Sequence, residues 1–128
     1  MSEPRLKTEI RVFAQLRRAA AAGAFATIAR KGDPDAGAVA VKLYLGARRA
    51  RLYVEGRDEK GEPVWREPLG GEADEAAVDA YLEKEVRFDR DLWIVEIEDR
   101  EGRLFTNQES GGSAGPGLAS SSAPDRLE

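Results

Sequence analysis

Residues 25–45, FATIARKGDPDAGAVAVKLYL, are the stretch around which the rest of the chain is read. Two runs with strand character flank a polar loop. In that loop Pro34 pre-sets its φ, Asp33 and Asp35 can accept hydrogen bonds from nearby amides, and Gly32 and Gly37 accept positive φ. After it Val39, Val41, Leu43 and Leu45 recur at every second position, the period of a strand with one buried face. The pattern predicts a hairpin in which the two strands pair directly and the remaining elements pack onto the pair.

Downstream, Gly46 to Arg49 links to a third strand, Ala50 to Glu55, in a second hairpin. Gly56 to Pro63 is a charged loop, and Val64 to Glu67, carrying Trp65, is a short strand whose following Pro68 suits a sheet edge or a strand end. Leu92 to Glu98 opens with four consecutive apolar residues and then alternates, so it belongs at the centre of the sheet, buried on both faces at one end. Trp93, on the same face as Val95 and Ile97, is a core residue. Asp99 to Gly102 reads as a tight turn into a last short strand, Arg103 to Phe105.

Two helices flank these strands. The first spans about Leu6 to Ala22 and ends at Gly23. At roughly 100° per residue, Leu6, Ile10, Phe13, Leu16 and Ala20 gather into a stripe about 120° wide, with Glu9 and Arg17 inside it. Ala19 to Ala22 supply small side chains for close approach, and Lys7, Arg11 and Arg18 form a basic ridge on the flank. The second helix, about Asp74 to Arg87, presents Ala77, Val78, Tyr81, Leu82 and Val86, with Glu85 in the stripe.

Composition narrows the chemistry more than any motif does. With no Cys and no His, disulfides, thiolate nucleophiles, Cys or His zinc sites and imidazole-based triads are excluded. The amino terminus, Met-Ser-Glu-Pro, is neither a secretory nor a membrane-spanning start, so a cytoplasmic protein without membrane association is expected. Charge is lopsided. Residues 1–57 hold 12 Lys and Arg against 5 Asp and Glu, and residues 58–128 hold 8 against 19, so balances of +7 and −11 give the net −4. Either the basic half displays a surface for an anionic partner or the two halves neutralise each other in the fold; the second reading is preferred.

The Gly32 to Gly37 loop lacks the spacing of a phosphate cradle, and Asp89, Asp91, Glu96, Glu98, Asp99 and Glu101 lack calcium-loop spacing, so no metal site and no cofactor are expected. The basic set carries more weight. Lys7, Arg11, Arg18, Arg30 and Lys31, with Lys42, Arg48, Arg49 and Arg51, could contact phosphates while Tyr44 or Tyr53 stack on bases. Arg17, in a buried stripe, demands a carboxylate, with Glu85 and Glu96 as candidates, or else lines an anion pocket.

Several segments together resemble one family. These are Arg5-Leu6-Lys7-Thr8-Glu9-Ile10, Arg17-Arg18, Gly23-Ala24-Phe25-Ala26, Arg30 to Gly37, Phe88 to Trp93 and Glu96 to Arg103. In this order they resemble the domain-of-unknown-function family 1491, small bacterial proteins, over about Arg5 to Phe105. Arg11 stands where the family is associated with Trp, and the polar tail is a second departure. The resemblance implies no mechanism.

The reading is therefore an α+β domain over residues 1–107, an antiparallel sheet of about five or six strands with two helices on one face, followed by a disordered tail over residues 108–128. Its leading function is non-enzymatic: a cytoplasmic binding or adaptor domain for a protein partner or a second copy of itself. The alternatives are a binder of nucleic acid or a phosphorylated ligand, with Arg17, Lys7, Arg11, Arg18, Arg30 and Lys31 as contacts, and an enzyme using carboxylates or Arg alone. Residues 108–128 contain Leu118 and Leu127 as their only large apolar side chains. These are too few to offset an ordering cost of about 1 kcal/mol or more per residue, so truncation after Asn107 should leave the melting temperature unchanged.

Overall fold

Leu92-Trp93-Ile94-Val95 has no polar face to turn to water, and its place in the fold follows from that. In a computed structural model, which describes residues 6–106, two helices and six strands follow in the order α1 (Thr8–Ala21), β1 (Phe25–Arg30), β2 (Val39–Gly46), β3 (Arg49–Arg57), β4 (Pro63–Arg66), β5 (Ala73–Asp74), α2 (Glu75–Phe88) and β6 (Trp93–Glu98). The expected tail lies outside the described residues. The sheet runs β1-β6-β2-β3-β4, with β5 a short addition beside β3. β6 is antiparallel to β1 and parallel to β2, so the sheet is mixed. Trp93 is 1% exposed and Val95 and Ile97 are fully buried, as expected of an interior strand.

The predicted hairpin between the first two strands does not form, because β6 occupies the space between them. The loop from Lys31 to Ala38 crosses over the start of β6, and its glycines serve that crossing: neither Gly32 nor Gly37 has positive φ. A Cβ on Gly32 would stand 2.0 Å from the Asp91 carbonyl oxygen, and one on Gly37 2.2 Å from it. The crossing is tied down by the Asp33 amide donating to the Asp91 carbonyl (3.0 Å) and the Trp93 indole N–H donating to the Asp33 carbonyl (2.7 Å). The same loop caps α1. The Thr8 and Glu9 amides donate to the Asp35 and Pro34 carbonyls, and the Thr8 hydroxyl donates to the Gly37 carbonyl.

The second hairpin, β2 to β3, forms as expected, and β4 is an edge strand. The helices lie on opposite faces of the sheet rather than on one. Val12 and Ala19 of α1 pack with Val41, Leu43, Val95 and Ile97, whereas Val78 and Leu82 of α2 pack with Ala40, Leu52, Val54 and Ile94. Residues of alternate parity on β2 and β6 thus meet different helices, which is what burial of both faces requires. The expected last strand over Arg103 to Phe105 is absent, since both edges of β6 are already paired. Instead Asp99 turns the chain, accepting from the Glu101 and Arg103 amides and from the Arg103 guanidinium, and Leu104 and Phe105 lie on the α1 face. The Arg103 hydrogen bonds, opposed by burial, hold the Asp99 carboxyl below its ordinary range.

The buried stripe of α1 is Thr8, Val12, Gln15 and Ala19, not the more apolar one. Leu6, Ile10 and Phe13 are 54, 47 and 36% exposed, and Arg17, placed by the sequence in a buried stripe, is exposed on the same side. The α2 stripe holds in part, with Val78 and Leu82 buried, Tyr81 and Val86 partly so, and Ala77 exposed. Trp93→Ala removes the largest fully buried side chain, so it should cost about 3–5 kcal/mol in a denaturant melt and leave little folded protein at physiological temperature.

Candidate binding site

On one face of the sheet α2 covers β2, β3 and the start of β6 at Ile94, and stops there. β1 and part of β6 are left without a helix above them, and a groove of about 940 Å³ runs between α2 and these strands. Small side chains, Ala76 and Ala80 on α2 and Ala29 on β1, keep it open, with Ile94 and Val86 as its apolar lining. Two uncovered strands at about 4.8 Å spacing are about 10 Å wide, the diameter of one helix or an extended chain with its side chains. Phe25, 75% exposed, and Thr27 continue this surface along the outward face of β1.

Lys42 lies at the back of the groove, only 6% exposed. Its ammonium donates to Asp79 at 2.7 Å and pairs with Glu75 at 2.8 Å, both on the first turns of α2. Burial pushes its pKa down, but the hydrogen bonds to Asp79 and Glu75 and the charge of Glu96 outweigh burial and raise it above 10.5. Lys42 is therefore a protonated clamp between sheet and helix, without the neutral amine that a nucleophile or base needs. Glu83 and Glu96 complete the carboxylates that line the groove.

A second, smaller site lies on the opposite face beside α1. Arg11, Gln15 and Arg18 line a cavity of about 20 Å³ with Val39, Trp65 and Thr106. The Arg11 guanidinium grips the largely buried Glu55 carboxylate through two hydrogen bonds of 2.9 and 3.2 Å, and Glu55 also accepts from the Val39 amide. Gln15 donates to the Leu104 carbonyl and Arg18 twice to the Phe105 carbonyl. The Trp65 indole N–H, buried among these donors, has no acceptor among the described residues. The site is rich in donors and short of acceptors.

Of the residues singled out in the sequence, the structure brings Arg11 and Arg18 to one cavity. Lys7 pairs at the surface with Asp35 at 3.7 Å, and Arg30 donates to the carbonyls of Lys31, Arg90 and Leu92. Lys31 and Arg17 are exposed. Glu85 and Glu96, proposed as partners of Arg17, belong to α2 and to the sheet face that α2 covers, with the whole sheet between them and α1. Arg49 pairs with Glu72 and Asp74, and Arg51 with Glu67, so much of the basic half is neutralised within the fold. The sequence gives no signal for Glu55 and Gln15, and it sets Lys42 among the possible phosphate contacts, whereas the structure buries Lys42 against Asp79 and Glu75. The one signal for Lys42 was its place in an otherwise apolar alternating run. Among the described residues no group of three or more potential ligands could hold a metal ion, and no helix is long and apolar enough to cross a membrane.

Lys42→Met strands Asp79 and Glu75, which water can partly rehydrate, so the loss at neutral pH should be about 1–3 kcal/mol. Because the folded pKa lies above the unfolded 10.5, the contribution of the charge is complete below pH 10.5 and fades as pH rises through the raised value. The gap between wild type and variant in thermal melts should hold constant through neutral pH and narrow only at strongly alkaline pH.

The family model described as a protein of unknown function, DUF1491, matches residues 6–107. No curated protein matches the chain. A crystal structure of a DUF1491 family protein from Caulobacter crescentus CB15 is 48% identical, with a TM-score of 0.72 over 80% of this chain and 96% of that one. The NMR structure of a DUF1491 family protein from the same organism is also 48% identical, with a TM-score of 0.73 over 82% and 96%. A solution structure of a protein from A. tumefaciens is 37% identical, with a TM-score of 0.68 over 80% and 93%. On the family match and these likenesses together, the chain belongs to the DUF1491 family.

Proposed function

We propose that this protein is a non-enzymatic cytoplasmic binding domain that takes an extended or helical polypeptide segment into the groove beside α2. The observation that carries this reading is the strip of β1 and the Glu96 end of β6 that α2 leaves uncovered, about one secondary-structure element wide, with the exposed Ala29 on its floor and the covered Ile94 at its inner border. The small Ala76 and Ala80 allow close approach of a backbone. The lining is mixed in charge, with Arg30 and Arg87 beside Asp79, Glu83 and Glu96, so the segment is selected by the apolar strip and not by its net charge.

An anion-binding reading draws on the Trp65 cavity, where an unsatisfied indole N–H faces two guanidinium groups. At about 20 Å³ that cavity admits a single water-sized atom, one oxygen of a ligand and no whole phosphate. The nucleic-acid reading draws on Arg17, Lys31 and Arg48, exposed and without a carboxylate within ion-pair distance among the described residues, but these come from separate elements. Both are weaker than the groove.

Selection from a displayed random-peptide library should return sequences that share regularly spaced apolar residues. Their binding should be lost in Ala80→Arg, which fills the groove from an exposed helical position and should leave stability within about 0.5 kcal/mol of wild type. A library that yields no binder, or binders indifferent to Ala80→Arg, would remove the groove as the site.

A further inference from the structure

β1 is an edge strand, and its outer side pairs with no strand among the described residues. Protein edges exposed in this way are blunted by charge, proline or brevity, yet Phe25-Ala26-Thr27-Ile28-Ala29 contains neither charge nor proline. A register irregularity comes only at its end, between Ile28 and Arg30. The segment is also complementary to itself. Placed antiparallel to a copy about a two-fold axis through Thr27, it sets Phe25 opposite Ala29, Ala26 opposite Ile28 and Thr27 opposite Thr27, so each large side chain faces a small one and no like charges meet.

The helix above this edge points to the same occupant. Arg11, Gln15 and Arg18 of α1 reach toward Glu55 and residues 104–105, away from β1. By helical geometry Phe13, Leu16 and Ala20 therefore border the β1 side, next to the exposed Leu6 and Ile10. α1 packs across β1, β6 and β2, so its axis is set back from the edge and a two-fold copy would stand about 10–14 Å away, a gap that Phe13 and Leu16 can fill. The two-fold also reverses the helix, bringing Glu9 near its N-terminus toward the half of the copy that carries Arg17.

We infer that a second copy of this chain pairs through β1, extending the sheet across the two-fold and packing α1 against its copy. This builds on the groove reading above and completes that site: on the opposite face the uncovered strips of both copies join into one trough, floored by β6, β1 and their copies and walled by the two α2 helices. A single copy supplies only one wall.

Thr27 lies at the two-fold and is exposed in the single chain, where its cross-strand neighbour is Glu96. Thr27→Lys gains a partner there and Thr27→Glu a like charge, both too weak at an exposed position to disturb the fold. Sedimentation of the full chain over a concentration series should give twice the 14.0 kDa monomer mass. Thr27→Glu and Thr27→Lys should each place like charges opposite one another and sediment as monomers with unchanged circular dichroism. An equimolar mixture of the two should restore the dimer. A wild type monomeric at every concentration, or a dimer that neither substitution weakens, would overturn the pairing. The assay contains no peptide, so a dimer that selects no peptide defeats the groove reading alone, and a monomer that selects peptides defeats the pairing alone.

Discussion

The insertion of β6 between β1 and β2 is the constraint on which the rest of the molecule depends. A strand that begins with four apolar residues and pairs on both edges needs a helix on each face, and α1 and α2 take opposite sides for that reason. The insertion also forces the β1 to β2 connection over the Asp91 and Leu92 backbone, where only glycine fits at positions 32 and 37. That connection in turn supplies the carbonyls that receive the first amides of α1. The chain beyond β6, finding no free edge there, lies down as cover for the α1 face.

Charge is used within this frame chiefly to join layers. Lys42 ties the sheet to α2, Arg11 and Glu55 tie α1 to β3, and Arg49 and Arg51 hold acidic residues of the 67–74 segment against β3. Lys42, Arg49 and Arg51 are the cations of the first half that meet carboxylates of the second among the described residues, so the lopsided charge is neutralised across the halves only in part. Near-surface pairs of this kind contribute little each, but Lys42 and Glu55 are buried enough that losing either partner would leave a desolvated charge.

Coverage of the sheet is uneven, and the unevenness is where binding is proposed. The α1 face is closed by a helix and by residues 104–106. The α2 face is closed over β2, β3 and the start of β6 only. The helix that closes the first face keeps Leu6, Ile10 and Phe13 turned outward, beside an edge strand that carries no charge before Arg30. An exposed stripe and an exposed edge on one flank are a cost to a solitary chain and an asset to one that meets another surface.

The sequence by itself determined the elements: both helices within two residues, the β2 to β3 hairpin, β4 as an edge, β6 as an interior strand with Trp93 in the core, and the family resemblance. Those features are local, set by periodicity and by runs too apolar for a surface. Only the tertiary structure decided that β6 separates β1 from β2, that the helices face opposite ways, and that α1 buries Thr8, Val12, Gln15 and Ala19 in place of its more apolar stripe. Each of these depends on partners distant in sequence. Gln15 is buried because the Leu104 carbonyl accepts from it, Lys42 because two carboxylates of α2 meet it, and Gly32 and Gly37 are needed because the Asp91 carbonyl oxygen lies 2.0 and 2.2 Å from where a Cβ would stand. Hydrophobic patterning counts apolar residues along one segment, and it has no means of seeing a polar atom satisfied from the far end of the chain.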